Sequence, residues 1–258
     1  MIAKVETQEE KKISMKNESV VQIRNLYKSF GDNPVLRNFS LNLAKGENVV
    51  VLGKSGSGKS VLIKCIIGLM KPDSGSIHVL GKSIPDLTHN ELDHIRAKVG
   101  FLFQSNALYD SMTVRENLQF PLRRHWIESS KEKENDLVME ALTNVGLAET
   151  VDMMPSQLSG GMRKRIALAR TLILKPEIIL YDEPTTGLDP ITGKEISMLM
   201  NELAKKYNTS SVIISHDLNC VKIVATRIVM LIEGMCYASG TYEDLKNSND
   251  KKIKQFFE

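Results

Sequence analysis

The stretch "GKSGSGKS" at positions 53–60 places glycine, serine and lysine residues directly after the apolar run "NVVV". Loops of the form G-x-x-x-x-G-K-[ST] wrap a phosphate chain: backbone N–H groups face the phosphates, the lysine reaches the outer ones and the hydroxyl binds Mg²⁺. Because this stretch follows a strand pattern and opens a helix pattern, it favours nucleotide binding over a merely flexible turn. The candidate phosphate-binding residues are Gly53, Lys54, Ser55, Gly56, Ser57, Gly58, Lys59 and Ser60.

Two carboxylates follow the apolar run of "EIILYDEP" (177–184). A buried strand here would deliver Asp182 and Glu183 at its carboxyl end, beside the phosphate loop. Asp182 is then a candidate Mg²⁺ ligand together with Ser60, and Glu183 a candidate general base that polarises the attacking water. An ordinary strand end with an acidic turn is the alternative, which the nearby phosphate loop disfavours.

Two more polar residues end apolar strand patterns. His216 in "SVIISHDL" could contact a γ-phosphate and hold Glu183 and the attacking water in place. Gln104 in "VGFLFQS" could reach both Mg²⁺ and that water. A lone histidine or glutamine is more often structural, so their catalytic roles depend on the company of the other motifs.

A second anion-facing helix start is predicted in "LSGGMRKRIALAR" (158–170), where Ser159, Gly160 and Gly161 open the helix. A serine cap on a surface helix is the alternative, but it does not explain two glycines in the first turn, which weaken a helix. The chain holds two phosphate-facing helix ends and one set of lysine, metal ligands and base. Two copies arranged head to tail, each lending its "SGG" to the other's loop, would use both.

The elements that must position these residues alternate between strand and helix, which predicts an α/β fold with a parallel sheet covered on both faces. A short antiparallel patch precedes it, between "VVQIRNL" and "FSLNL". The predicted strands are 48–52, 75–80, 98–103, 177–182, 210–215 and 227–233. The predicted helices are 58–70, about 89–96, a polar helical region at 113–147, then 160–173, 191–207 and 217–225.

We expect one catalytic domain over residues 20–246, with a helical subdomain inserted at about 105–165. Residues 1–19, "MIAKVETQEEKKISMKNES", contain little to bury and are predicted to be a mobile tail. Residues 247–258 are predicted to be a short C-terminal tail.

The bulk composition sets only broad limits. With 258 residues, 42% of them hydrophobic, the chain can build a proper core, and its formal charge of +3 does not require a nucleic-acid or membrane partner. Cys65, Cys220 and Cys236 each lie in an apolar pattern and are predicted to be buried, reduced thiols, typical of a reducing compartment. No apolar run approaches the ~18 residues of a membrane span. We therefore expect a cytoplasmic protein, or one held at a membrane by a partner.

Together these motifs resemble the ATPase subunit of ABC transporters, over nearly the whole chain from about residue 20. The resemblance implies a P-loop NTPase fold of the ABC type, with ATP and Mg²⁺ as substrate and cofactor. Residues 53–60 match the Walker A loop, Gln104 the Q-loop, and 158–162 the signature. Asp182 ends the Walker B strand, Glu183 is the catalytic glutamate, and His216 is the switch histidine.

The same resemblance implies two further ATP contacts. Asp189 in "GLDP" matches the D-loop, and Phe30, just before Gly31, matches the aromatic residue that stacks on adenine; Tyr27 is the alternative aromatic. The chain departs from the family at Met162, where the signature usually ends in glutamine. That departure concerns the glutamine's sugar contact, not the phosphate contacts.

A finer resemblance is to the ATPase of Mla-type, MCE-associated phospholipid transport systems. It is carried by the signature methionine, the preceding "MPS", the segment "PLRRH" and the ending "NSNDKKIKQFF". It implies a membrane permease dimer, an MCE lipid-binding protein and a small STAS-domain protein as partners, and a peripheral position on the cytoplasmic face of the inner membrane.

Other functional classes fit less well. ABC ATPases that act on ribosomes or DNA usually fuse two cassettes or insert a long coiled coil, for which this chain has no room, so no nucleic-acid partner is expected. The signature helix and the absence of N-K-x-D disfavour a P-loop kinase or GTPase. The nearest competitor is the ATPase of an amino-acid or other small-solute importer. Because this subunit does not touch cargo, lipid is inferred from resemblance alone.

Overall fold

The computed structural model describes residues 18–124 and 131–257. In chain order its strands are β1 (Ser19–Phe30), β2 (Asn33–Ala44), β3 (Asn48–Leu52), β4 (Ser74–Val79), β5 (Lys82–Ser83), β6 (Val99–Leu102), β7 (Ile178–Asp182), β8 (Ser210–Ser215), β9 (Arg227–Ile232) and β10 (Met235–Gly240). Its helices are α1 (Lys59–Ile66), α2 (His89–Ala97), α3 (Val114–Arg124), α4 (Lys131–Asn144), α5 (Gly160–Leu172), α6 (Pro190–Tyr207), α7 (Leu218–Val224), α8 (Tyr242–Lys246) and α9 (Lys251–Lys254).

The larger sheet has the strand order β10-β9-β3-β8-β7-β6, and every pairing except β10 with β9 is parallel. Along β3, Val50 faces one hydrophobic cluster and Val49 and Val51 face the other, so the strand is buried on both sides. This explains its unbroken apolar sequence, which is typical of a parallel strand between two helical layers. The predicted α/β architecture is confirmed.

The carboxyl ends of three neighbouring strands lie side by side. In the parallel register Leu52 of β3 pairs with Ser215 of β8, and Asp182 of β7 pairs with Ile214. The segments that follow these strands therefore leave the sheet at the same edge, where ligands bind in sheets of this kind.

A second, antiparallel sheet has the order β2-β1-β4-β5, which confirms the predicted antiparallel patch. The predicted strand 75–80 also belongs here, since Val79 of β4 pairs with Val21 of β1; its inclusion in the parallel alternation was wrong. The burial along β4 gives the reason: Ile77 and Val79 are buried, whereas His78 is half-buried. A sheet with one covered face produces that alternation.

Helices α3 and α4 lie in the part of the chain predicted to be a helical insertion. Their fully buried residues, such as Leu118 and Leu142, join the same hydrophobic cluster as Leu168 of α5. Residues 125–130 of the predicted helical region lie outside the described residues. The boundaries 105–165 stay a prediction.

The two chain ends differ in what the structure describes. Strand β1 begins at Ser19, within the predicted N-terminal tail, and residues 1–17 of that tail lie outside the described residues. In the predicted C-terminal tail, Asp250 caps α9 by accepting hydrogen bonds from the backbone N–H groups of Lys252 and Ile253. Ile253 is buried in the core. Packing thus continues almost to the end of the chain.

The cysteine prediction holds at two positions of three. Cys65 and Cys220 are buried, and burial raises the pKa of each thiol to about 11. Cys236 is exposed, so its predicted burial was wrong. It lies on β10, an edge strand of the larger sheet, where an apolar pattern does not guarantee burial. Among the described residues, no helix is both long enough and apolar enough to cross a membrane.

Candidate active site

An open pocket of about 760 Å³ lies at the carboxyl edge of the parallel sheet. It brings together the glycine-rich loop with Gln104, Glu183 and His216, which are far apart in sequence. Its lining residues are Val35, Leu52, Gly53, Lys54, Ser55, Gly56, Gly58, Lys59, Ser60, Val61, Gln104, Glu183, His216, Gln255 and Phe256.

The glycine-rich loop needs its glycines for two different reasons. A Cβ on Gly53 would lie 2.7 Å from the carbonyl oxygen of Leu231, so only glycine allows this close approach of β9. Gly58 has φ +101° at the start of α1, a conformation that side chains rarely permit. The Lys59 ammonium donates to the carbonyls of Gly53 at 2.7 Å and Lys54 at 3.0 Å. The loop is therefore wrapped around a cation that is 7% exposed.

Glu183 is held in a strained conformation at the end of β7. Its φ of +51° is uncommon for a residue with a side chain, and its backbone N–H donates to the Ile214 carbonyl at 2.9 Å. Its Oε2 lies 2.8 Å from Nδ1 of His216, and its Oε1 lies 3.7 Å from Nζ of Lys59. The carboxylate is thus fixed between an imidazole and an ammonium group.

Three oxygen-bearing residues lie at or next to the main pocket: Ser60 and Gln104 line it, and Asp182 contacts Ser60. The Ser60 hydroxyl donates to Oδ1 of Asp182 at 3.3 Å, and Gln104 lines the same pocket. Burial raises the pKa of Asp182, with the nearby charge of Glu183 adding to the effect. Hydroxyl, carboxylate and amide oxygens are the donors that Mg²⁺ prefers, and Mg²⁺ usually takes few protein ligands together with waters and substrate phosphates. These residues therefore fit a Mg²⁺–nucleotide complex.

Helix α5, the second helix with glycines in its first turn, begins outside this pocket. Ser159 and Gly160 at the start of α5 are exposed and do not line it. The Ser159 hydroxyl accepts a hydrogen bond from the Met162 N–H at 3.2 Å. A Cβ on Gly161 would lie 2.8 Å from the Thr192 methyl group, so helix α6 leaves no room for a side chain there. The helix start presents its backbone amides to the outside of this chain.

Asp189 lies in a separate pocket of about 300 Å³ that shares His216 with the main one. Its carboxylate caps α6 by accepting from the N–H groups of Ile191 at 3.1 Å and Thr192 at 3.0 Å. Hydrogen bonds from Thr192 are the main cause of its lowered pKa. Asp189 is therefore a helix cap that stays ionised beside the histidine.

The two aromatic candidates for base stacking are both exposed. Phe30, at the end of β1, is 50% exposed, with the Lys28 ammonium 5.7 Å from its ring centroid. Tyr27 is 43% exposed. Neither is among the described residues that line the pocket.

Sequence reasoning missed a contribution from the C-terminal segment. Gln255 and Phe256 line the main pocket, and the Lys54 ammonium lies 5.9 Å from the Phe256 ring centroid. The spacing of Ile253, Phe256 and Phe257 in "IKQFF" was the available signal, because apolar residues at i, i+3 and i+4 share one helix face. That spacing indicates that the segment packs against the rest of the chain.

The comparisons with known proteins agree with this geometry. A model of the ABC transporter family matches residues 36–186. The intermembrane phospholipid transport system ATP-binding protein MlaF of Haemophilus influenzae is 36% identical, over 93% of this chain and 90% of that protein. The probable ribonucleotide transport ATP-binding protein mkl of Mycobacterium leprae is 39% identical, over 92% of this chain and 68% of that protein. The glutamine transport ATP-binding protein GlnQ of Escherichia coli is 38% identical, over 93% of this chain and 99% of that protein.

A solved structure gives the same result for the fold. The ATP-binding cassette MJ0796, described as dimeric, in a post-hydrolysis state and bound to ADP and Pi, superposes with a TM-score of 0.79. It is 34% identical over 86% of this chain and 98% of the cassette. Fold, site geometry and sequence relatives agree: the chain belongs to the ABC transporter family, as an ATP-hydrolysing subunit.

Proposed function

We propose that this protein powers a transporter that moves phospholipid between membranes. The observation that carries the proposal is the similarity to MlaF, which extends over 90% of that protein rather than over the nucleotide-binding motifs alone. The methionine at position 162 and the C-terminal segment belong to the sequence features that prompted the finer resemblance. On this proposal the chain hydrolyses ATP and other subunits handle the lipid.

The residues of the main pocket take distinct roles in hydrolysis. The N–H groups of residues 53–60 and the Lys59 ammonium bind the β- and γ-phosphates. Glu183 accepts a proton from the attacking water as general base, and His216, hydrogen-bonded to its Oε2, holds that carboxylate in position. Phe30 stacks on the adenine, and Asp189 contacts the nucleotide through the dimer interface.

Ser60, Asp182 and Gln104 are the residues proposed to hold Mg²⁺. The cation, when bound, neutralises charge on the phosphate oxygens during transfer. Asp182 is suited to this role because its carboxylate is already hydrogen-bonded to the Ser60 hydroxyl. Gln104 reaches the same region from the end of β6 and can also orient the attacking water.

We propose that two copies act together, head to tail. The "SGG" at residues 159–161, with Ser159 and Gly160 exposed, lies outside the pocket of its own chain, as expected if it serves the pocket of a second copy. The related MJ0796 cassette, whose structure is described as dimeric, supports a dimer of this chain. Each composite site would take its phosphate loop from one subunit and its signature amides from the other.

The proposed partners follow from the transport role. They are permease subunits in the membrane, an MCE lipid-binding protein and a STAS-domain protein, with this chain peripheral on the cytoplasmic face of the inner membrane. No nucleic-acid partner is proposed. The permease would dock beside Gln104, where Tyr109 and Phe120 are exposed and form an aromatic pair with centroids 4.8 Å apart.

Purification of the protein from native membranes, with identification of the co-purifying chains and extraction of bound lipid, tests the proposal. We expect a permease, an MCE-type protein and phospholipid. An amino-acid-binding protein in place of the MCE protein would overturn the lipid assignment and leave the ATPase function unaffected. The same preparation treated with excess detergent serves as the control for lipid that adheres nonspecifically.

The second candidate is the ATPase subunit of an amino-acid or other small-solute importer. The observation that favours it is the similarity to GlnQ, which at 38% identity covers 99% of that protein. The two candidates share every step of ATP hydrolysis, so only the partners and the cargo separate them.

A further inference from the structure

A buried lysine on helix α5 contacts the loop that carries Gln104. Lys164 is 1% exposed, and its ammonium donates a hydrogen bond to the main-chain carbonyl of Gln104 at 3.0 Å. Burial is the main cause of its pKa falling to about 8, and the charge of Asp182 opposes that shift. A buried ammonium group is costly unless it is well hydrogen-bonded. The cost of burying the Lys164 ammonium suggests that its hydrogen bond to Gln104 has a specific function.

A second cation of the same helix holds the next part of this loop. The Arg170 guanidinium donates to the carbonyls of Asn106 at 2.9 Å and Ala107 at 2.8 Å. It also lies over the ring of Tyr109, 5.9 Å from Arg170 Cζ to the ring centroid. Six residues separate Lys164 from Arg170, about 9 Å along a helix. Helix α5 therefore donates to three carbonyls of one short loop.

The loop needs such support because its backbone is strained. Asn106 has φ +65° and Ala107 has φ +50°, both in the left-handed region, which asparagine tolerates but alanine seldom adopts. Local strain of this kind persists only where the surroundings hold it. Without the donors from α5, the loop would relax and the Gln104 side chain would leave its place on the pocket wall.

We propose that Lys164 and Arg170 are positioning residues that clamp the Gln104 loop to helix α5. Helix α5 begins at the exposed Gly160, so the clamp joins the part of the chain facing a second copy to the part facing the bound nucleotide. A displacement of α5 is then transmitted directly to Gln104. The inference rests on the proposed role of Gln104 in hydrolysis.

The test compares steady-state ATP hydrolysis by Lys164→Met, Gln104→Ala and the double variant. For Lys164→Met we expect kcat to fall about 10- to 100-fold with KM for ATP nearly unchanged, since misplacement of a catalytic group by 1 Å can lower the rate by about 100-fold. The double variant should be no slower than Gln104→Ala alone, because Lys164 acts through that residue. Lys164→Arg, which keeps a cationic donor, should recover part of the rate.

Hydrogen exchange and controls complete the test. Amides of residues 103–108 should exchange faster in Lys164→Met than in the wild type, whereas Lys205→Met, at an exposed lysine of α6, should change neither exchange nor kcat. Melting temperatures show whether Lys164→Met folds normally. If it does not, Lys164→Gln is used in its place. A kcat within twofold of wild type, or additive losses in the double variant, would overturn the clamp. A Gln104→Ala variant with full activity would instead overturn the proposed role of Gln104.

Discussion

Nδ1 of His216 lies 2.8 Å from Oε2 of Glu183, although 33 positions separate the two residues in the chain. The contact exists because β7 and β8 are parallel neighbours whose register pairs Asp182 with Ile214. Both side chains then leave the sheet at its carboxyl edge. The imidazole fixes a carboxylate whose own backbone is strained, so the fold itself orients the group that we propose as the general base.

Replacing the carboxylate of Glu183 should separate binding from hydrolysis. In Glu183→Gln we expect ATP to bind with near wild-type affinity while turnover falls by about 10²–10⁴, the usual loss when a positioned general base is removed. Equilibrium nucleotide binding and steady-state hydrolysis, measured on one preparation, check both halves. Lys59→Ala is the contrasting variant: it removes the charge proposed to hold the outer phosphates and should weaken binding itself. Near-normal turnover by Glu183→Gln would exclude its role as the base.

Mixing two inactive variants tests the head-to-tail dimer. Ser159→Arg blocks the exposed helix start and Lys59→Ala disables the phosphate loop, so each alone should be inactive. A mixed dimer contains one site with an intact loop and an intact signature, and we expect partial recovery of ATP hydrolysis. Titration of one variant into the other should give a maximum at equal amounts. If no ratio restores ATP hydrolysis, the result would count against a dimer in which one intact composite site is enough for hydrolysis.

The proposed stacking of Phe30 on the nucleotide base can be compared with the effect of Phe256, the aromatic residue that lines the pocket. Phe30→Ala should weaken the binding of ATP more than the binding of inorganic triphosphate, because stacking of a base on an aromatic ring is worth about 1–3 kcal/mol. Phe256→Ala should have a smaller effect that is similar for both ligands, since its ring lies beside Lys54 of the phosphate loop. Isothermal titration with each ligand distinguishes them. Phe257→Ala is the matched control, because that ring packs on Tyr242 instead. A larger base-specific loss in Phe256→Ala would reassign the stacking residue.

The exposed aromatic pair beside Gln104 should be needed for permease binding and not for folding. We expect Tyr109→Glu to lose co-purification with the permease while its melting temperature and ATP binding stay near wild type. Leu118→Glu should instead unfold the helical region, because Leu118 is fully buried. Lys205→Glu, on an exposed face of α6, controls for the added charge. A normal complex with Tyr109→Glu would place the permease elsewhere.

Thiol labelling should distinguish the three cysteines. At pH 8, Cys65 and Cys220 stay protonated because burial raises the pKa of each to about 11, and both are inaccessible to reagent. Cys236 is exposed and should react first, although burial of its sulfur also raises its pKa. We expect one fast modification in the native protein and three in denaturant, counted by mass spectrometry; Cys236→Ser should abolish the fast one. Rapid modification of Cys65 would contradict the burial described here.

Much of the fold could be predicted from the sequence because the relevant signals are local. The strands at 48–52 and 210–215 have the predicted bounds, and the other predicted strands differ by one residue at one or both ends. The polar helical region predicted at 113–147 contains two separate helices, α3 and α4. Unbroken apolar runs between polar helices indicate strands buried on two faces, which is typical of a parallel sheet covered by helices. The prediction for the strand at 75–80 assigned it to the wrong sheet. Its partner, β1, is distant in sequence, and its short run of alternating buried and half-buried residues was a weaker signal than the alternation of strands and helices around it.

The sequence by itself determined which residues could take part in phosphate chemistry. The residues of the loop at 53–60 are consecutive in the chain, as are Asp182 and Glu183, so the chain itself holds the members of each motif close together. Only the tertiary structure decided which of these groups meet. Sheet register brings His216 to Glu183, and packing of the last helix carries Phe256 into the pocket. The same folding leaves Ser159 outside that pocket and Cys236 uncovered on an edge strand. These outcomes depend on contacts between segments far apart in the chain, which no local pattern encodes.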